Sequence, residues 1–290
     1  MIRGYDVSHH QGPFDHRRAQ QEGFDFCIVK ATEGRTFRDD VFERNWRELG
    51  EIGMPRGAYH FGRPGSNSAR VEARFYLDVA QLGDDDIRPI LDLEDWGRET
   101  LSPGELADWV SEWVDEVRGA TRKRAIVYTR QFWMQNLGDL RDDFDTDLWV
   151  PRYSDAMLDP FLPAAWTEYL LWQWAGTSGD EFYPHDVGPV KAKLGPKAQL
   201  TVAGRKVDQN VGREGVTLED LVGKPQVDVV ERWVVRATWQ ADGERHTRDL
   251  VAPVELRRLG AAIDDACERI ARQRDKGHRI VIRKVVVPKE

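Results

Sequence analysis

Four acidic residues stand where runs of strand-like sequence end. Two of them, Asp92 and Glu94, lie in Ile90-Leu91-Asp92-Leu93-Glu94-Asp95-Trp96, a short apolar run that turns acidic. Side chains alternate faces along a strand, so Asp92 and Glu94 share one face while Leu93 and Asp95 take the other. Their Cα atoms are then about 6.5–7 Å apart. Like charges this close raise one pKa, which keeps one carboxyl protonated and its neighbour ionised near neutral pH. Glycoside hydrolysis uses that division: one carboxylic acid protonates the leaving oxygen and a second carboxylate assists on the sugar. Asp6 and Asp208 end two further predicted strands. Each position also has a plainer reading. The pair is a solvated strand end or a helix cap, Asp6 caps the segment after it, and Asp208 is a hairpin residue.

Aromatic residues flank the same ends: Tyr59, Phe61, Trp96, Tyr128, Trp149, Tyr153, Trp172 and Trp174. Flat aromatic faces beside carboxylates suit a sugar polymer, whose rings have apolar faces to stack. Core packing is the competing reading, and it suits Phe61, Trp149 and one of the Trp172/Trp174 pair better. His9, His10 and His60 near Asp6 and Asp92 raise a metal-dependent hydrolase as a rival. No H-E-x-x-H or paired-cysteine signature accompanies them, so neither a metal nor another cofactor is expected.

These residues need a scaffold. Strand patterns cover 2–7, 24–31, 57–61, the run from 90, 124–129, 148–153 and 169–174. Helical patterns fall between them: a polar stretch over 14–22, then Val41, Phe42, Trp46 and Leu49, then Val71, Phe75, Val79 and Leu82. A further helix starts with Ser102 as N-cap, Pro103 in the first position and Glu105 closing a capping box, and buries Leu106, Trp109, Val110, Trp113 and Val117. Segments 200–203 and 207–211 read as a closing hairpin around Gly204-Arg205, and the long stretch between Trp174 and Asp208 as an extended loop. Alternating strands and helices with polar strand ends predict an α/β fold, either a barrel or an open parallel sheet. After about residue 145 the spacing is too short for full helices, so the second half is more β-rich than a regular eightfold barrel.

The 290 residues suffice for one large barrel plus a small module. No apolar run approaches the roughly 20 residues that span a bilayer, and no signal peptide is read at the start. Cys27 and Cys267 are expected to be two separate packed thiols. Residues 224–290 carry 15 Lys+Arg against 11 Asp+Glu, whereas residues 1–223 carry 27 against 39. An acidic body argues against nucleic acid as its partner, while a basic tail allows contact with an anionic polymer.

Taken together, these segments resemble glycoside hydrolase family 25, the Chalaropsis-type lysozymes, which include many bacteriophage endolysins. The resemblance rests on Gly4-Tyr5-Asp6-Val7-Ser8 with Gln11-Gly12; Phe26 with Val29-Lys30-Ala31-Thr32-Glu33-Gly34; Gly57-Ala58-Tyr59-His60-Phe61; Leu91-Asp92-Leu93-Glu94; Ile126-Val127-Tyr128-Thr129; Leu148-Trp149-Val150; Leu171-Trp172-Gln173-Trp174; and Val207-Asp208-Gln209-Asn210. It implies an irregular TIM-like β/α barrel that cleaves the β-1,4 bond between N-acetylmuramic acid and N-acetylglucosamine in peptidoglycan. Matched position by position, Glu94 is the general acid and Asp6, Asp92 and Asp208 are the other cleft carboxylates. Tyr59 lies near the scissile sugar. The expected substrate-binding set is Tyr59, Tyr128, Tyr153, Trp172, Gln173 and Trp174. The chain departs from the family at Pro151-Arg152, which reshapes the cleft rim near Tyr153. An endolysin of this kind stays in the host cytoplasm until released to the wall; otherwise the protein reaches the cell exterior by a non-classical route.

The expected organisation is a catalytic barrel over 1–211, a linker over 212–226 and a small β-β-α-β domain over 227–290. The last is expected to bind the cell wall through Arg-rich strands, with a role in folding or dimerisation as the alternative. Its helix is read from Leu256, Leu259, Ile263, Cys267 and Ile270. A non-catalytic carbohydrate-binding barrel is the second rival for the body, and the four carboxylates argue against it.

Overall fold

The structure, a computed structural model, describes residues 1–94, 101–129, 145–156, 159–163, 165–178 and 180–224, and the backbone of strands at 229–241, 244–254 and 279–288. The chain divides into two compact units, Met1–Pro225 and Gln226–Glu290.

The first unit is a closed barrel. Seven strands run parallel around it: β1 (Arg3–Val7), β2 (Phe26–Glu33), β4 (Arg56–Phe61), β5 (Ile90–Asp92), β6 (Ile126–Tyr128), β7 (Asp147–Pro151) and β8 (Leu171–Ser178). The eighth, β10 (Asp208–Gly212), is antiparallel to both β8 and β1, and the β1–β2 pairing closes the ring. Two short strands hang from it, β3 (Phe37–Arg38) on β2 and β9 (Glu181–Tyr183) on β8. The antiparallel strand has a direct consequence. The start of β10 lies at the same mouth as the ends of the other seven, so Asp208 pairs in register with Asp6.

Side-chain alternation sorts the strands into two layers. Phe26, Ile28, Ile90, Ile126, Trp149 and Leu171 fill the floor of the barrel and exclude water from it. Gly4 is required there, since a Cβ on it would lie 2.2 Å from the Phe26 ring. The opposite faces of β1, β2 and β4 pack outward against helices α1 (His16–Gln21), α2 (Phe42–Glu51), α3 (Ala69–Ala80) and α4 (Pro103–Thr121). The capping box of Ser102 and Glu105 forms as the sequence indicates, and Leu106, Trp109, Val110, Trp113 and Val117 are all buried.

Several expectations change. The acidic strand ends at Asp92, and Leu93 continues only as a hydrogen bond from its amide to the Tyr128 carbonyl, 2.9 Å. Helix α3 buries Ala69, Glu72, Ala73, Tyr76 and Ala80, while Val71 is exposed. Val79 and Leu82 pack against the core only partly buried, and apart from Tyr76 and Glu72 the fully buried residues of the helix are alanines, which the close approach of α4 favours. Segment 200–203 forms no strand, and only Val202 and Arg205 bridge around the turn. The stretch expected as a loop holds β9 and helix α5 (Gly188–Leu194). The expected linker belongs largely to the barrel unit. Thr217 caps helix α6 (Leu218–Val222), Val216 and Leu221 are buried beneath the barrel floor, and the Arg88 amide donates to the Leu221 carbonyl.

The second unit is an antiparallel sheet, β12 (Glu244–Val254), β11 (Val229–Ala241) and β13 (Arg279–Pro288), with β11 central. The helix expected over 256–270, with Cys267, lies outside the described residues. Cys27 is a buried free thiol.

Candidate active site

The floor of the barrel is apolar and its mouth is not. Asp6 on β1, Asp92 on β5 and Asp208 on β10 all reach the mouth. Two of them, Asp6 and Asp92, are buried and Asp208 is nearly so. Glu94, two residues past the end of β5, is half-buried, and its charge acts on both Asp92 and Asp208.

Asp6 is held by two amides. Its Oδ2 accepts from Gln173 Nε2 at 2.9 Å and from Asn210 Nδ2 at 2.7 Å. Each amide is fixed in turn. Gln173 Oε1 accepts from the Tyr128 and Tyr153 hydroxyls, both at 2.9 Å, and Asn210 Oδ1 accepts from Trp149 Nε1 at 2.8 Å. These acceptor roles leave only the NH₂ groups to face Asp6, so the network fixes both amide orientations. Trp149 is thus a core residue that also orients the site.

Asp92 is held differently. Its Oδ1 is buried without a hydrogen-bond partner among the described residues. Lys30 acts on it as an opposing charge, and Lys30 Nζ donates to Glu33 Oε2 at 2.6 Å, with Arg63 on the other oxygen of Glu33. Burial, and then the charge of Glu94, drives the Asp92 carboxyl well above the usual carboxylate range. Burial, and then the charge of Asp6, does the same to Asp208, against a hydrogen bond from the Thr177 backbone. Burial lifts Asp6 to about 6, against the two amides that favour its charge. Mutual repulsion alone would raise one carboxyl of a pair. In the structure three are raised, and loss of water is the larger cause for each.

Tyr59 lies half-buried on the inner face of β4, where burial and the charges of Asp92 and Asp6 raise its phenol. Tyr128 and Tyr153 meet at 3.4 Å between hydroxyls. Of the expected substrate-binding residues, Tyr59, Tyr128, Tyr153 and Gln173 therefore gather at the mouth. Trp172 and Trp174 do not. They occupy the opposite face of β8 from Gln173 and pack with Val190, Ala198 and Val211 beneath α5. Both side chains are almost completely buried, which leaves no ring face for a sugar. Residues two apart on a strand share a face, so the two tryptophans go outward together once Gln173 points in. Trp96 and Asp95 lie outside the described residues.

His60 is also turned outward, between Thr32 and Glu72, and His9 bonds to Asp39. Neither joins Asp6 and Asp92, and among the described residues no three His, Cys, Asp or Glu side chains are grouped to hold a metal ion. The sequence reading missed Asn210 as an orienting residue, although it follows Asp208 at the spacing of one face. Lys30 and Glu33 carry no signal in the sequence beyond their place in the 29–34 segment.

A closed, mostly parallel barrel with acidic groups and tyrosines at the carboxyl ends of its strands is an α/β architecture on which glycoside hydrolysis can be built. The chain belongs to glycosyl hydrolases family 25, whose family model matches residues 5–180. It is 37% identical over 158 residues to the uncharacterised protein YegX of Escherichia coli K12, covering 52% of this chain and 56% of YegX. It is 26% identical over 188 residues to Lysozyme M1 of Streptomyces globisporus, covering 61% of this chain and 62% of that protein. The stretches matched thus span less than two thirds of either relative. Among solved structures, a muramidase from Acremonium alcalophilum superposes with a TM-score of 0.62 at 25% identity, over 77% of this chain and 99% of that one. The Clostridium perfringens spore cortex lytic enzyme SleM has the same fold, with a TM-score of 0.59 at 20% identity over 99% of this chain and 98% of its own.

Proposed function

We propose that the chain is a muramidase, hydrolysing the β-1,4 bond between N-acetylmuramic acid and N-acetylglucosamine in peptidoglycan. The observation that carries this reading is the convergence of Asp6, Asp92, Asp208 and the charge of Glu94 at one mouth of a family 25 barrel. Glu94 gives its proton to the bridging oxygen as the bond from that oxygen to the sugar C1 breaks. Its half-exposed position lets it meet an incoming glycan, where Asp6 is locked among amides.

The open oxygen of Asp92 favours this residue over Asp6 for the second role. A buried acceptor without a donor is costly in the free enzyme and gains most when a substrate N–H or O–H fills it. An acetamido N–H suits that place, so that Asp92 orients the substrate's own carbonyl toward C1. Asp6, ionised above about pH 6, supplies the negative field that favours a proton on Asp92 and Asp208, and the tyrosines bind along the rim. Water then adds to C1, and its proton returns to Glu94. The relatives named as a lysozyme and a muramidase support the bond assigned. The second unit serves in this reading as a wall-binding module.

The test is digestion of purified peptidoglycan followed by identification of the new reducing end. Muramic acid ends support the reading. Glucosamine ends, or released peptides without new reducing ends, reject it.

A further inference from the structure

A lysine stands among the carboxylates of the mouth, and the strand that carries it is bulged to place it. On a regular strand Lys30 and Glu33, three residues apart, take opposite faces. In β2 the register against β4 shifts between them: Lys30 pairs with Tyr59, Thr32 with His60 and Glu33 with Phe61. Ala31 is thus the extra residue of a bulge, a device that re-aims side chains beside active sites. Lys30 follows Ile28 of the barrel floor on the inner face, Thr32 turns outward to His60, and Glu33 returns inward. The bulge thereby lets Lys30 Nζ reach Glu33 Oε2 at 2.6 Å.

The pair is not neutral. Arg63 Nε donates to the other oxygen of Glu33 at 3.0 Å, so two cations share one carboxylate and positive charge is left over. Against burial, the hydrogen bonds from Lys30 and Arg63 hold Glu33 below the usual carboxylate range, so it stays ionised. Both cations lie over the Phe61 ring, Lys30 Nζ at 5.0 Å and the Arg63 guanidinium carbon at 4.8 Å from its centroid. Phe61 also separates Glu33 from Asp92. It pairs with each across neighbouring strands, which sets the two acids about 10 Å apart at one level of the mouth. Lys30 is only 6% exposed. Glu33 does not require so deep a partner, because Arg63 already neutralises it.

Asp92 meets charge from several strands. Glu94 follows it in the chain, Lys30 and Glu33 stand on β2, and Asp6 stands on β1 with Asp208 beside it on β10. The phenols of Tyr59 on β4 and Tyr128 on β6 also face it and stay neutral. His10, after β1, faces Lys30 and Glu33 and is held toward its neutral form by burial and then by His9. Glu94, Asp6 and Glu33 favour a proton on Asp92, and Lys30 favours its loss.

We propose that Lys30, braced by Glu33 and Arg63, is a positioning residue that acts through Asp92: its ammonium is the counter-charge against which Asp92 releases its proton to solvent and accepts the acetamido N–H of the substrate. The last step rests on the muramidase reading. An ionised acceptor binds an N–H more strongly than a neutral one, so the role turns on that proton. A salt bridge that only tied β2 to β4 would be lost in the same way with either partner. Here the two partners act on Asp92 with opposite sign.

The test follows the Asp92 carboxyl by carbon-13 NMR in the substrate-free full chain, its signal identified by its loss in Asp92→Asn. The acid limb of kcat/KM on soluble glycan fragments, which reports the free enzyme, is measured in parallel. Lys30→Met should move the Asp92 midpoint and the limb up by about one pH unit, so that kcat/KM below the limb falls about tenfold. Lys30→Arg should leave both near the parent's. Glu33→Gln should move both down, although it breaks the same salt bridge. Shifts of one sign in Lys30→Met and Glu33→Gln, the absence of a shift in either, or a Lys30→Arg variant that behaves as Lys30→Met overturns the proposal. Should Lys30→Met not fold, Glu33→Gln decides by its sign, at a side chain that is 23% exposed. A parent that releases no muramic acid ends while the midpoints still move apart rejects the muramidase reading and leaves the hold of Lys30 on Asp92 in place.

Discussion

Two of the polar clusters buried in the barrel unit, one at the mouth and one behind β4, are built to opposite rules. Behind β4, Glu72 and His60 are both fully buried. Glu72 Oε2 accepts from His60 Nε2 at 2.8 Å and from the Arg63 amide at 3.0 Å, and its Oε1 accepts from Asn67 Nδ2 at 2.7 Å. His60 Nδ1 meets the Thr32 hydroxyl at 2.8 Å. A carboxylate only accepts, so Nε2 carries the proton and Nδ1 accepts from Thr32. Every atom of this cluster is used, which is how a buried polar group is made affordable. At the mouth, two buried aspartates and a third nearly buried share few donors, one oxygen is open and three pKa values are raised. Burial of charge is common to both clusters. What marks the mouth is charge left uncompensated.

Two substitutions should separate the clusters most widely. Glu94→Gln should lower the rate of reducing-end release by about 10²–10⁴-fold, the usual contribution of a positioned acid, with thermal stability retained. A variant that lyses walls as fast as the parent would remove Glu94 from the mechanism. Glu72→Ala should do the reverse. It strands three donors, His60 Nε2, the Arg63 backbone amide and the Asn67 side-chain amide, and at about 1–3 kcal/mol for each one left buried it should cost several kcal/mol in chemical denaturation. Below its melting range, its turnover per folded molecule should stay close to the parent's. Loss of turnover without loss of stability would mean that the cluster behind β4 serves the chemistry.

The two clusters should also tilt stability with pH in opposite directions. Asp6 titrates near 6 when folded and near its ordinary 3.8 when unfolded, so between those values the folded state holds more protons. Its contribution to stability is therefore greatest in acid and is lost as pH rises toward and past about 6; the raised Asp92 and Asp208 extend the loss upward. Burial lowers the His60 pKa from 6.5, so the folded state there holds fewer protons, and stability is lost as pH falls below that value. Asp208→Asn should raise the melting temperature at pH 8 and change it little at pH 4. An increase of the same size at both values would show that charge is not what the mouth stores.

Much of this architecture was legible in the chain. The Ser102–Glu105 box, the strand runs and the order of the family segments depend on local chemistry, and the structure follows them. Asp6 and Asp208 could be named but not paired, because their meeting depends on β10 running antiparallel, and direction is not written in a strand's own residues. Helix α3 shows the same limit. Val71 and Val79 carry the obvious period, but the inner face is set by Ala69, Ala73, Tyr76 and Ala80 because α4 lies close. Glu72 reads as a surface acid until His60 is seen to face it. The raised carboxyls were expected from crowding, yet removal from water, a property of the closed barrel, is the larger cause.

Trp172 offers the finest test of which face of β8 meets substrate. Its Nε1 donates to the Arg152 carbonyl at 3.0 Å, and Lys193 lies over its ring, 4.9 Å from the centroid. Both contacts belong to the layer under α5. Trp172→Phe removes one hydrogen bond and part of a buried ring, which should cost about 1–2 kcal/mol of stability. KM for soluble glycan fragments should stay within about twofold, since less than 0.5 kcal/mol of binding would change. Tyr128→Phe, which keeps the ring but removes a donor to Gln173 at the mouth, should raise KM or lower kcat more at similar stability. If Trp172→Phe instead raises KM severalfold with the melting temperature unchanged, the tryptophan leaves its outer layer to stack on the sugar. The inward face of β8 would then not be the one that Gln173 defines.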